Sequence, residues 1–293
     1  MTYTCNFECD HCFLYCSSDS SGTFTLKQLR VVFSEIKKLE TVTMVYFEGG
    51  EPFLYYPLMV EGIRMAHEQG LETGVVTNSY WATSEEDAEL WLKPLVELAV
   101  SDLSISDDVF HHGEEVENPA KKALAALKRL KGHGGSICIE KPSIKMQAVE
   151  DQEKGKPVIE GGALLKGRAA EMLVEGLPTR HWEEFTECPH EELENPERVH
   201  VDSFGNVHLC QGISIGNMWK TPLSELVKNY RASSHPVCSY LVKGGPALLA
   251  KAYGVEHGEY YVDECHFCYK TRLALLDRFP EYLAPRQVYG LDQ

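Results

Sequence analysis

Between residue 23 and about residue 140 the chain alternates short β-like runs with amphipathic helical stretches, and this alternation restricts the fold more than any other feature. Thr25 and Gln28 are spaced as a capping box, and Leu26, Leu29, Val32, Phe33 and Ile36 share one helical face. The run Val42 to Phe47 predicts a buried strand ending in Glu48-Gly49-Gly50-Glu51-Pro52. A second helix covers roughly Leu58 to Gln69 and stops at Gly70. Thr73 to Asn78 is the next strand. A third helix starts near Ser84, with Glu85, Glu86 and Asp87 suited to its N-terminal dipole. Leu103 to Asp108 reads as a strand leaving into a loop, Asn118 and Pro119 open a fourth helix to about Lys131, and Ser136 to Glu140 is the last strand of the series. Strand and helix at this spacing imply parallel βαβ units in a barrel-like or an open sheet, with chemistry where strands end and βα loops begin. Glu48 to Glu51, Thr77-Asn78 and Ser106 to Asp108 occupy such ends.

The pattern lapses after Ile139. No convincing helix lies before Val158, and the charged stretch Lys145 to Lys156 reads as a loop or a degraded crossover. After Gly167-Arg168-Ala169 the texture changes. Glu183 to Glu197 is acidic and contains Cys188, and Val199 to Cys210 reads as a hairpin around Gly205-Asn206. A domain boundary near residue 170 follows, dividing 1–170 from 171–293. With 293 residues, 43% of them apolar, a sizeable core can be buried. The 28 basic against 44 acidic residues leave a net charge of -16, which argues against duplex DNA, folded RNA or an anionic membrane as partner, because each needs a cationic footprint. No run of about 18 apolar residues exists and the first residues are no signal peptide, so a soluble, cytoplasmic protein is expected.

Ten cysteines are the chemistry-bearing feature: Cys5, Cys9, Cys12, Cys16, Cys138, Cys188, Cys210, Cys238, Cys265 and Cys268. Their clustering, without an export signal, reads as metal ligation rather than a disulfide framework. Cys5-Asn6-Phe7-Glu8-Cys9-Asp10-His11-Cys12 has the spacing C-x3-C-x2-C. Three thiolates on one short loop can hold three corners of a cubane iron–sulfur cluster and leave the fourth iron open; a fourth thiolate would close it. A zinc knuckle with Cys16 or His11 as fourth ligand is the alternative. Gly49-Gly50-Glu51-Pro52 at the next strand end weighs against zinc, since glycines admit a ligand close to the backbone and a carboxylate accepts from an ammonium group.

Together these residues resemble the radical S-adenosylmethionine (radical SAM) superfamily, whose hallmark is C-x3-C-x-Φ-C followed by a G-G-E strand end. The resemblance implies an α/β fold, a partial (β/α)6 TIM-like barrel with a small C-terminal auxiliary-cluster domain. It implies that Cys5, Cys9 and Cys12 ligate a 4Fe-4S cluster whose unique iron chelates S-adenosylmethionine. His11 stands in the aromatic place beside the third cysteine, where the family packs the adenine. Gly49, Gly50 and Glu51 match the motif that holds the methionyl amino group. Thr77 and Asn78 match the third-strand end, and Ser106 with Asp108 matches the fourth-strand end that meets ribose or carboxylate. The ordinary alternatives are that Thr77 and Asn78 only end a strand and that Ser106 or Asp108 caps the next turn. Only four residues precede Cys5, so the family's first strand is either very short here or starts late in this chain. The implied chemistry is reductive cleavage of the sulfonium and hydrogen abstraction by a 5′-deoxyadenosyl radical, with a flavodoxin or ferredoxin as electron donor.

The tail resembles a shortened SPASM or "twitch" module: Cys188, Gly205-x4-Cys210, then Cys265-x2-Cys268, with Gly167-Arg168-Ala169 matching the linking segment. A full module carries about seven cysteines for two clusters, whereas this tail has five. One auxiliary 4Fe-4S cluster on Cys188, Cys210, Cys265 and Cys268 is therefore expected, with a tetrathiolate zinc site on the same residues as the alternative. Cys238 is open to being a ligand, a hydrogen donor or inert, with inert as the default; Cys16 has no role assigned, and Cys138 in Ile137-Cys138-Ile139 reads as a core residue. His111-His112 reads as a solvated loop pair. Members with an auxiliary cluster act on peptides or small polar molecules. The lead reading is oxidative or bond-forming modification of a peptide or protein, weakened by the lack of a leader-binding domain ahead of the barrel. Dehydrogenation of a small alcohol or sugar is the alternative, and a zinc-stapled binding module is the reading outside enzymes. Asp107, Glu140 and Lys141 are guesses for a general base or hydrogen donor.

Overall fold

The computed structural model describes residues 1–114, 117–147 and 156–291. They group into two units. The first comprises Met1–Glu8, Cys16–Ile139 and Pro222–Ser224, and the second comprises Cys9–Tyr15, Glu140–Thr221 and Glu225–Gln293. Among the described residues no helix is long and apolar enough to cross a membrane.

In the first unit α1 (Leu26–Leu39), β1 (Met44–Phe47), α2 (Tyr56–Glu68), β2 (Glu72–Thr77), α3 (Glu85–Glu97), β3 (Asp102–Ser106), α4 (Val109–His112), α5 (Pro119–Arg129) and β4 (Gly134–Ile137) follow in order. The four strands form a parallel sheet in the order β1-β2-β3-β4, each joined to the next through helices, which is the expected α/β architecture. The helix starts follow from their caps. Thr25 and Gln28 form a reciprocal capping box on α1, Ser84 accepts from the Asp87 amide, and Asn118 accepts from the Lys121 amide with Pro119 in the first helical turn. Phe33, Met59, Ile63, Leu92, Leu103 and Ile105 are buried in this layer. Ahead of β1 the first strand is reduced to isolated parallel bridges, Thr2 to Gly49 and Thr4 to Ser17.

Two sequence expectations are corrected here. Cys138 is exposed, because it follows β4 at the sheet edge, where Ile137 is also 39% exposed. The apolar triplet therefore lines a rim and not the core. His111 and His112 are not a solvated loop pair: both lie on α4, and His112 is buried with Nε2 against the Ser106 carbonyl at 3.1 Å.

In the second unit the charged stretch opens as β5 (Ser143–Gln147), which pairs antiparallel with β6 (Lys156–Glu160). The rest of that stretch, 148–155, lies outside the described residues. α6 (Ala169–Met172) and β7 (Arg180–His181) come next. The hairpin around Gly205 is present as β8 (His200–Val201) and β9 (Asn206–Cys210), extended by β10 (Ile213–Asn217) into an antiparallel sheet. α7 (Leu223–Asn229) precedes α8 (Cys238–Tyr253), which is broken at Gly244 and Gly245 ahead of Pro246. β11 (Tyr260–Tyr261) pairs with β7, and α9 (Glu264–Ala274) carries the last two cysteines.

Candidate functional site

In the first unit the chain end leading to Cys5 lies against the end of β1. The Gly50 amide donates to the Thr2 carbonyl at 2.6 Å and the Glu51 amide to the Thr4 carbonyl at 3.0 Å. That approach explains the paired glycines: a Cβ at Gly49 would stand 2.2 Å from the Thr2 oxygen, and one at Gly50 would stand 2.1 Å from the Thr4 oxygen. Cys5 is buried, and its sulfur accepts from the Phe7 amide at 3.4 Å and from Asn78 Nδ2 at 3.7 Å. Asn78 Nδ2 also donates to Asn6 Oδ1 at 2.9 Å.

Glu51 ties the strand ends together. Its Oε1 accepts from the Phe53 amide at 3.0 Å and from Thr77 Oγ1 at 2.9 Å, and its Oε2 accepts from the Asn78 amide at 2.7 Å. The residue is fully buried, and burial pushes its carboxyl up to about 7 although those donors pull it back. At the end of β3, Asp108 caps α4, with Oδ1 accepting from the amides of Phe110 and His111, and it lies 2.8 Å from His111 Nδ1. Ser106 offers its carbonyl to His112. Asp107 accepts from Asn118 Nδ2 at 2.9 Å, while Glu140 and Lys141 are exposed.

In the second unit the stretch from Cys9 to Tyr15 forms turns, with the Cys12 amide on the Cys9 carbonyl at 3.1 Å. His11 on this stretch is half-buried. The stretch is pinned by Gly167 and Arg168. Arg168 Nη1 donates to the Cys9 carbonyl at 2.8 Å, and the Arg168 amide donates to the Cys12 carbonyl at 2.9 Å. Gly167, at φ +62, packs so tightly that a Cβ there would stand 2.5 Å from the Phe13 carbonyl carbon. Lys166, only 3% exposed, points elsewhere: its Nζ lies 3.3 Å from Cys210 Sγ.

Cys210 is the hub of the tail thiols. It acts electrostatically on each of Cys188, Cys238, Cys265 and Cys268. Cys188 comes from the acidic loop, where the amides of His190 and Glu191 face its sulfur. Cys265 and Cys268 sit one turn apart on α9, and Arg272 follows at the next turn of the same face. Burial pushes Cys188, Cys238, Cys265 and Cys268 up, Cys268 to about 11 and Cys238 to about 12. Arg272 pulls Cys268 back and Lys166 pulls Cys265 back. Among the described residues, which include all ten cysteines, none is in a disulfide.

Sequence reasoning missed Lys166 and Arg272; Cys238, for which ligand, hydrogen donor and inert were open, is fully buried. Arg272 had a signal in its spacing of four from Cys268 and seven from Cys265.

The Radical SAM superfamily profile matches residues 1–142. The chain is 28% identical over 107 residues to the putative peptide biosynthesis protein YydG of Bacillus subtilis (strain 168), covering 36% of this chain and 34% of that protein. It is 30% identical over 78 residues to the S-adenosylmethionine-dependent nucleotide dehydratase of Selenomonas ruminantium, covering 27% of each. The chain thus spans about a third or less of the length of these curated relatives. Among solved structures it is similar to BtrN in complex with AdoMet and 2-DOIA, with a TM-score of 0.49 at 15% identity over 78% of this chain and 79% of that one. Residues 1–142, which hold Cys5, Cys9, Cys12 and the Gly49-Gly50-Glu51 strand end, are thus the part of the chain that is similar to the radical SAM superfamily.

Proposed function

We propose that this chain is a radical SAM enzyme that cleaves S-adenosylmethionine reductively and abstracts a hydrogen atom from a peptide or protein, in an oxidative or bond-forming modification. The observation that carries the reading is the C-x3-C-x2-C spacing of Cys5, Cys9 and Cys12 together with Gly49-Gly50-Glu51 inside the matched domain. These three thiols would hold a 4Fe-4S cluster with S-adenosylmethionine at its open iron, which supplies a 5′-deoxyadenosyl radical when bound and reduced. The donor set fits, because N–H groups of Phe7 and Asn78 already face the Cys5 sulfur and would spread thiolate charge.

The chain's own residues then position the cofactor. By family correspondence His11 would pack the adenine, Gly49 to Glu51 would receive the methionyl amino group, and Asn78, Ser106 and Asp108 would meet ribose or carboxylate. Glu51 holds the ends of β1 and β2 in register, so the backbone groups offered there do not have to reorganise on binding. Arg168 fixes the Cys9 and Cys12 carbonyls, which orients the turn between those ligands. Reducing equivalents would come from a flavodoxin or ferredoxin.

We assign residues 1–170 to the radical core and 171–293 to an auxiliary module holding a second 4Fe-4S cluster on Cys188, Cys210, Cys265 and Cys268. Support comes from the convergence of these thiols and from their spacing. A zinc tetrathiolate on the same four residues is the competing site. The peptide substrate is supported by the name of the Bacillus relative; a small polar substrate, such as a nucleotide or an alcohol, is the second reading, supported by the name of the Selenomonas relative.

Two variants test the assignment after anaerobic reconstitution. Cys9→Ala should lose about four of about eight irons per chain and all 5′-deoxyadenosine formation. Cys265→Ala should keep 5′-deoxyadenosine formation and lose the second set of irons. Undiminished 5′-deoxyadenosine from Cys9→Ala would end the radical SAM reading, and zinc without sulfide in the wild-type tail would end the auxiliary-cluster assignment.

A further inference from the structure

Two cations are buried beside the tail thiols with too little negative charge to balance them. Lys166 is 3% exposed and Arg272 is 2% exposed. Burying an uncompensated charge costs several kcal/mol, so each should have an anionic partner. Among the described residues the carboxylate on Lys166 is that of Glu191 at 3.9 Å, and Glu191 also pairs with Arg198 at 3.0 Å. Arg272 has no carboxylate partner among the described residues. Its Nη1 donates to the Gln211 carbonyl at 2.9 Å and to Tyr289 Oη at 3.1 Å, and its buried Nε has no partner. Both cations instead face sulfur. Lys166 Nζ is 3.3 Å from Cys210 Sγ, and Arg272 follows Cys268 by one turn of α9, close enough to pull its thiol down.

Neutral thiols cannot compensate two cations. A 4Fe-4S core of charge 2+ held by four thiolates carries a net charge of 2−, which is what Lys166 and Arg272 together lack. We propose that Lys166 and Arg272 are the built-in counter-charges of the auxiliary cluster, that they favour its assembly, and that they hold its reduction potential up. The inference rests on the auxiliary-cluster reading given above. One-electron reduction takes the centre from 2− to 3− with no bond made or broken. Two fixed cations at contact range, in a low-dielectric surround, therefore stabilise the reduced form more than the oxidised one. Lys166 is the more flexible cation of the pair, and its aliphatic stem can be replaced by methionine at nearly constant volume.

The test is an EPR-monitored redox titration of the auxiliary cluster in a Cys9→Ala background, where the first cluster is missing, with iron and sulfide measured on the same samples. Lys166→Met should cut the ratio of reduced to oxidised cluster about tenfold at a fixed poise, a potential about 59 mV more negative for a one-electron couple. Lys166→Arg should restore it, and Arg272→Lys should hold its potential closer to wild type than Lys166→Met does. A loaded cluster with unchanged potential in Lys166→Met overturns the inference and leaves the auxiliary cluster standing. Absence of iron from the tail of the Cys9→Ala protein overturns the auxiliary-cluster reading itself, and the inference with it.

Discussion

Glu51 shows how a single residue can set a pH dependence. It is fully buried, and burial pushes its carboxyl up to about 7 from an ordinary value of 4.5. The folded chain therefore keeps a proton that the unfolded chain has lost across that interval. Stability is highest at the acid end and falls as pH rises through 7, by roughly 3 kcal/mol in all. Urea midpoints of the metal-free protein should drop between pH 5 and pH 8. Glu51→Gln should flatten that slope while costing about 1–3 kcal/mol at the acid end, because its amide nitrogen would face the Asn78 donor. A slope that survives the substitution would assign it to other groups. Gly167 makes a different demand. Its φ of +62 and the 2.5 Å approach of the Phe13 carbonyl carbon leave no room for a methyl group. Gly167→Ala should lower the melting temperature by an amount corresponding to about 1–3 kcal/mol, and the loss should appear before any cofactor is added.

At the scale of elements, α1 to β4 were readable because caps and periodicity agree. Thr25 and Gln28, Ser84, and Asn118 with Pro119 each start a helix where the sequence places the start. Removing the Thr25 hydroxyl as Thr25→Ala should cost about 1 kcal/mol, read as a shift in the denaturation midpoint. The β5–β6 pair was passed over although Ser143 to Gln147 alternates polar and apolar residues, because the charges around it read as a loop; Lys145 pairs with Glu160 at 3.1 Å across the two strands. Cys138 misled for a related reason. Ile137-Cys138-Ile139 has core composition, but only its place at the open edge of the sheet decides its exposure, and edge position is a tertiary fact. In the native protein iodoacetamide should reach Cys138 faster than Cys16 or Cys238, which are 2% and 0% exposed, and Cys138→Ser should remove that fast phase. The candidate cluster ligands were legible from spacing alone, whereas Lys166 lies 44 residues from Cys210, a separation with no local pattern to read.

For the whole molecule, the net charge of -16 sets what it can approach. Transfer RNA should show no retarded band with the protein at physiological ionic strength, since no broad phosphate neutralisation is available; a salt-sensitive complex would bring nucleic acid back as a partner class. The cysteines and the groups that hold them are spread along the chain. Three adjacent residues, Lys166 to Arg168, serve both the Cys9–Cys12 turn and the Cys210 sulfur. The turn is thus not a portable cassette. Grafting residues 1–16 onto another barrel would import the cysteines but leave behind the guanidinium and the glycine that shape the loop between two of them. A chimera that keeps its geometry must carry a strap encoded about 150 residues downstream. Recombination between relatives would therefore be viable only where both segments are inherited together.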